Sequence, residues 1–124
     1  MQRAFTNILC ENTEQVAQFY EEFLGMERQG DFGWFVVLTH PELSGLEFGL
    51  LDRNHETVPS ELAASPQGVI LTFVVNDVED YFERAQKMGT HIIQQPTDMF
   101  YGQRRMLLKD PAGTTLDISS LVKA

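Results

Sequence analysis

Positive charge, cysteine and long apolar runs are all scarce in this chain of 124 residues. Nine Lys and Arg stand against eighteen Asp and Glu, a formal net charge of -9, so phosphate backbones and anionic membrane surfaces are repelled at long range. Neither nucleic acid nor a membrane is expected as a partner. Cys10 is the only cysteine, which excludes an intrachain disulfide and a thiolate metal cluster within one chain and suits a reducing compartment. No apolar run nears the roughly 20 residues needed to span a bilayer, and Met1 to Asn7 has no apolar stretch of the secretory-leader kind. A cytoplasmic protein is the expectation. Histidine is thinly spread as well: His40 is the first, none lies between His55 and His91, and all three fall in loop or strand-edge contexts that read as surface. No Ser-His-Asp set and no phosphate-cradling glycine loop is visible.

What is present is one pattern written twice. Each half starts with a β-branched or aromatic run (Ala4 to Leu9; Val69 to Val75) and continues into an Asn-capped amphipathic helix. In the first half, Asn12 with Gln15 three residues on resembles a capping box, and Val16, Phe19, Tyr20, Phe23 and Leu24 fall on one helical face. Asn76 with Glu79, then Val78, Tyr81, Phe82, Ala85 and Met88, repeat it in the second. Gly25 and Gly89 close the helices, and three strand-like runs follow each, ending in Leu46-Glu47-Phe48 and Leu116-Asp117-Ile118.

The spacing therefore predicts an α+β fold of two tandem βαβββ modules whose curled sheet encloses a central cleft. Module one covers about residues 1–52 and module two about 68–124, within a single domain. The polar segment of about 53–67, with Pro59 and Pro66, reads as a linker. Tandem modules leave sheet edges and apolar rims, so a homodimer is expected.

Phe19-Tyr20-x-x-x-Leu24-Gly25-Met26 in the first half, with Gly102 and then Asp110-Pro111-x-Gly113-x-x-x-Asp117 in the second, resembles the glyoxalase, bleomycin-resistance and extradiol-dioxygenase superfamily of vicinal oxygen chelate proteins. The resemblance covers nearly the whole chain and concerns the scaffold, which hosts lyases, dioxygenases and drug-binding proteins alike. In metal-dependent members it implies a His on the first strand of each module and a carboxylate on the last. Counting from the motifs, the two His positions fall on Phe5 and Ile70, while Glu47 and Asp117 stand at the carboxylate positions. Two carboxylates without imidazole make a poor site for zinc, nickel or iron, so no metal and no cofactor is expected.

Strand alternation leaves open whether Glu47 and Asp117 face solvent or the cleft, and the family topology favours the cleft. Trp34 and Tyr101 are the aromatics best suited to a half-wet pocket wall, with Phe5 and Ile70 as its dry floor. Arg104 and Arg105 are adjacent on a strand, so one points inward, available to Asp117 or to a ligand anion, and which one stays open. The leading expectation is a metal-independent binder of a small aromatic or cationic molecule, resembling the bleomycin-resistance type, antibiotic sequestration included. A glyoxalase-like lyase or isomerase using Glu47 or Asp117 as acid-base groups is the first alternative, and an interaction domain with a vestigial pocket the second.

Overall fold

Asn12 begins the first helix as its spacing requires. Its backbone is extended (φ -134°, ψ 95°), and its side-chain oxygen accepts the Gln15 N–H at 3.0 Å. Such a cap contributes about 1 kcal/mol by satisfying a donor that the helix itself cannot. In the computed structural model, which describes residues 1–123, helix α1 runs Thr13–Leu24 and buries Val16, Phe19, Tyr20, Phe23 and Leu24. Gly25 (φ 70°) then lets its own N–H and that of Met26 turn back to the carbonyls of Glu21 and Tyr20.

The chain divides into two compact units, residues 1–66 and residues from 67 onward. The first holds β1 (Thr6–Cys10), α1, β2 (Glu27–Asp31), β3 (Phe35–His40) and β4 (Leu43–Asp52). Its sheet order is β1-β4-β3-β2, with β1 parallel to β4 and the other pairs antiparallel. The second unit repeats this with β5 (Ile70–Val74), α2 (Val78–Lys87), β6 (His91–Asp98), β7 (Gln103–Lys109) and β8 (Thr115–Leu121), in the order β5-β8-β7-β6. The α+β class and the doubled βαβββ order are as the sequence pattern predicts.

Alternation splits each sheet into two faces. One lies beneath the helix and is the core: Ile8, Val36, Leu38 and Leu50 in the first unit, and Met106, Leu108, Leu116 and Ile118 in the second, all buried. Truncating such a residue to alanine typically costs about 2–5 kcal/mol, and this sets the register, because a one-residue slip would turn the whole set outward. The opposite, helix-free face carries Glu47 in the first unit and Ile70, Asp117 and Arg105 in the second.

Three details differ from the sequence reading. The cap of α2 is Asp77, not Asn76: Asp77 Oδ1 accepts the Glu79 N–H at 3.0 Å, while the Val78 N–H donates to Ser120 Oγ on β8. Val75 N–H is still held by the Ser119 carbonyl, so the strand keeps its ladder one residue further before the helix can start. The expected strand at His91 to Ile93 extends to Asp98 despite Pro96, which is tolerated because β6 is an edge. Residues 53–66 belong to the first unit, with a single 3-10 turn at Ser60–Leu62 and Arg53 bonded to Glu11 and to Ser65 Oγ.

Arg28 on β2 ties its strand to α1, donating to Glu14 at 2.7 and 2.8 Å, to Glu21 at 2.8 and 3.1 Å and to Asp31 at 2.9 Å. Its hydrogen bonds, with that from Gln18 second, lower the Glu14 pKa from 4.5 to about 2. A depressed carboxylate contributes stability that is present above its unfolded pKa and is lost as pH falls through the folded one. The urea-unfolding midpoint of wild type should therefore exceed that of Arg28→Met at neutral pH, with the gap narrowing between pH 4.5 and about 2. A gap that stays constant over that interval contradicts the linkage.

Candidate functional site

On the first unit's helix-free face, residue pairs run Asn7–Gly49–Val37 and Leu9–Leu51–Phe35 across β1, β4 and β3. Gly49 is there because nothing larger fits: a Cβ would collide with Asn7 Oδ1 and fall 2.7 Å from a ring carbon of Phe35. Phe5 lies just before β1, and Glu47 lies on β4 one pair earlier on this face. Arg3, two residues before Phe5, donates to both Glu47 oxygens at 2.6 and 2.7 Å and sets its guanidinium 4.7 Å from the Phe5 ring centre. The Arg3 bonds hold the Glu47 carboxyl below its usual range. A depressed pKa suits an anion-bearing anchor and is opposite to what a general base near neutrality needs.

Trp34 precedes β3 in a turn. Its indole is stacked at 4.0 Å and 11° on His55, whose Nδ1 accepts the Thr57 N–H at 3.2 Å. His55 is therefore half-buried in an aromatic stack, and one indole face is taken by the protein itself. His40 also departs from a surface role: Glu42 N–H donates to its Nδ1, so its Nε2–H donates to the Leu24 carbonyl at 3.0 Å and ties the end of α1 to β3. His91 is exposed as expected.

In the second unit the helix-free face brings together Thr72, Asp117 and Ser119. Thr72 is paired with Asp117 across β5 and β8, its hydroxyl donating to Oδ2 at 3.2 Å while Ser119 Oγ donates to Oδ1 at 2.6 Å. Ile70, one pair earlier on that face, is 59% exposed. Tyr101 lies apart, in the β6–β7 turn, edge-on to a nearly fully exposed Phe100 at 5.3 Å.

The two arginines separate as alternation demands. Arg104 takes the helix side, donating to Glu79 at 2.6 Å and to Asp98 at 3.0 Å. It lines a hollow of about 240 Å³ at the start of α2 together with Asp77, Glu79, Asp98, Ser120 and Lys123. Its charge is thus met by Glu79 on α2 and Asp98 on β6, and of the two arginines that the sequence left open it is Arg105, not Arg104, that lies on the helix-free face. Arg105 pairs across the ladder with Ser119 on the helix-free face, its Nε–H donating to Gln94 Oε1 at 3.1 Å.

Register also separates the two carboxylates. The helix caps Asn12 and Asp77 lie 65 residues apart, which matches Phe5 with Ile70 and Asn7 with Thr72. Asn7 faces Gly49, whereas Thr72 faces Asp117. The counterpart of Asp117 is therefore Gly49, and Glu47 stands one pair earlier, beside Phe5. Sequence reasoning missed this because Leu46-Glu47-Phe48 and Leu116-Asp117-Ile118 look alike locally. Arg3 and Ser119 were also missed, although each lies two residues from a site residue, Ser119 on the same strand face as Asp117.

The sequence pattern of the Glyoxalase/Bleomycin resistance protein/Dioxygenase superfamily matches residues 3–118. The chain belongs to that superfamily. Among solved structures of the same fold, a "conserved domain protein" is 26% identical, covering 98% of this chain and 100% of its own with a TM-score of 0.77. A protein from Agrobacterium tumefaciens solved by NMR is 25% identical over 99% of both chains, with a TM-score of 0.78. A glyoxalase/bleomycin resistance protein/dioxygenase from Nocardioides is 21% identical over 100% of this chain and 85% of its own, with a TM-score of 0.75. No functionally curated protein matches the sequence.

In this superfamily member the residues do not fit the metal that the resemblance implies. Phe5 and Ile70 offer no donor atom, Gly49 has no side chain, and both Glu47 oxygens are bonded to Arg3. Among the described residues no three His, Cys, Asp or Glu groups come together as a metal cradle.

Gly49→Ala should destabilise the first unit by about 1–3 kcal/mol, the usual cost of forcing a methyl into filled space, although alanine is no worse a strand former. Chemical denaturation measures it. A variant as stable as the parent would show that Asn7 and Phe35 yield freely.

Proposed function

We propose that this chain is a small-molecule-binding member of its superfamily that works without a transition metal, resembling the bleomycin-resistance type, and that it holds an organic ligand on the helix-free sheet faces. The observation that carries this reading is the replacement of donor groups in each unit, by Phe5 and Gly49 in the first, which also exposes aromatic surface at Trp34, and by Ile70 in the second. Apolar wall with a few fixed polar groups is the usual composition of a ligand site. Antibiotic sequestration is one use of such a site. Catalysis by Glu47 as a base is disfavoured by the Arg3 bonds that depress its pKa, which leaves Asp117 as the acid-base candidate of a lyase or isomerase.

A thermal-shift screen with neutral, cationic and anionic aromatic compounds, run with and without a chelator, tests the proposal. A true ligand at 100 times its Kd adds about 2.7 kcal/mol, and the shift should persist in chelator. Hits that vanish on chelation and return with zinc or manganese would overturn it.

We also propose a homodimer. The strands β1, β2, β5 and β6 are sheet edges, and on β5 the apolar Ile70 and Val74 are 59% and 70% exposed. Sedimentation at micromolar concentration should give twice the chain mass, and a single monomeric species would reject this.

A further inference from the structure

At least four of the six arginines are ion-paired to carboxylates: Arg3 to Glu47, Arg28 to Glu14, Glu21 and Asp31, Arg53 to Glu11, and Arg104 to Glu79 and Asp98. Arg105 differs. Half-buried on the helix-free face of the second unit, it is held through Nε by the neutral amide of Gln94, and its two terminal nitrogens have no partner among the described residues. A chain carrying eighteen acidic residues has carboxylates in plenty, yet this guanidinium is oriented by a group that leaves its charge intact. An oriented, partly desolvated and unneutralised guanidinium is a receptor for a planar anion, because its two terminal N–H groups match the two oxygens of a carboxylate.

Its neighbour completes the pattern. Ser119 stands opposite Arg105 across the ladder and turns its hydroxyl proton to Asp117 Oδ1, while Thr72 supplies Oδ2. Each Asp117 oxygen thus has one internal donor and retains acceptor capacity, and the carboxylate is fixed in place without an ion-pair partner within 4 Å among the described residues. Arg105 and Asp117 are diagonal neighbours on adjacent strands, about 7–8 Å apart at the backbone, a span that one small molecule bridges. Leu107, on the same face between Arg105 and Lys109 and paired with Asp117, adds apolar surface beside them.

We propose that the second unit's helix-free face takes a small organic carboxylate that also carries a hydroxyl or ammonium donor, its anion on Arg105 and its donor on Asp117. This rests on the small-molecule-binding reading above and names the ligand class. The overall charge of -9 opposes anions at long range, so selectivity comes from this one local contact and not from the field of the protein.

Calorimetric titration with a panel of aromatic hydroxy- and amino-carboxylates such as mandelate and phenylalanine, beside benzamidinium and neutral benzyl alcohol, tests the assignment. A panel carboxylate should bind wild type, and Arg105→Met should weaken it roughly tenfold or more, the loss of a charge-assisted pair. Arg105→Lys should restore part of the affinity, and Lys109→Met, which removes an equal charge from the same strand and face, should leave it unchanged. In NMR the Arg105 Hε resonance should move on titration, a readout that does not depend on any variant folding. Equal binding by wild type and Arg105→Met, with an unmoved Hε signal, would overturn the proposal. Should only benzamidinium or benzyl alcohol bind, the carboxylate assignment fails while the small-molecule reading stands. If no compound of any class binds, both fail.

Discussion

One helix can cover only one face of a four-stranded sheet, and everything distinctive about this chain follows from that shortage. In each unit the covered face is filled with apolar residues that are almost wholly buried, and its demands fix the strand register. The helix-free face inherits whatever the alternation leaves over: Asn7, Gly49, Phe5 and Glu47 in one unit, Thr72, Asp117, Ser119 and Arg105 in the other. Because the core and not the ligand holds the register, these residues can change without unfolding the scaffold. This is how one fold hosts metal enzymes and metal-free binders.

The charged groups on those faces are in different states, although a formal count treats them alike. Glu47 is closed by a two-pronged arginine; Asp117 is held by two hydroxyls; Arg105 is held by an amide. Only the last two keep unspent charge to offer. Arg3 keeps Glu47 ionised while the same guanidinium also covers the Phe5 ring. Ionic networks elsewhere, around Arg28 and Arg104, join helix to strand and have a structural role.

The elements and their order were legible because helix and strand periods differ and because caps and glycines mark the boundaries. Val16, Phe19, Tyr20, Phe23 and Leu24 could share no face but a helical one, and Gly25 and Gly89 adopt the left-handed conformation that ends a helix. The position of the α2 cap was ambiguous because Asn76 and Asp77 cap equally well. Only the bonds that Val75 N–H and Val78 N–H donate to Ser119 and Ser120 on β8 chose between them.

By itself the sequence determined that two βαβββ modules would form and that no imidazole could stand on the first strand of either, since both follow from local spacing and residue identity. Tertiary structure decided which charges are free. Whether Glu47 is an open acid depended on Arg3, 44 residues away in the chain; which arginine faces away from the helix depended on the ladder pairing of β7 with β8; and the mismatch between Glu47 and Asp117 appeared only when β1 was laid against β4 and β5 against β8. Pairing register and long-range ion pairs are properties of strands brought together, and nothing within a single strand encodes them.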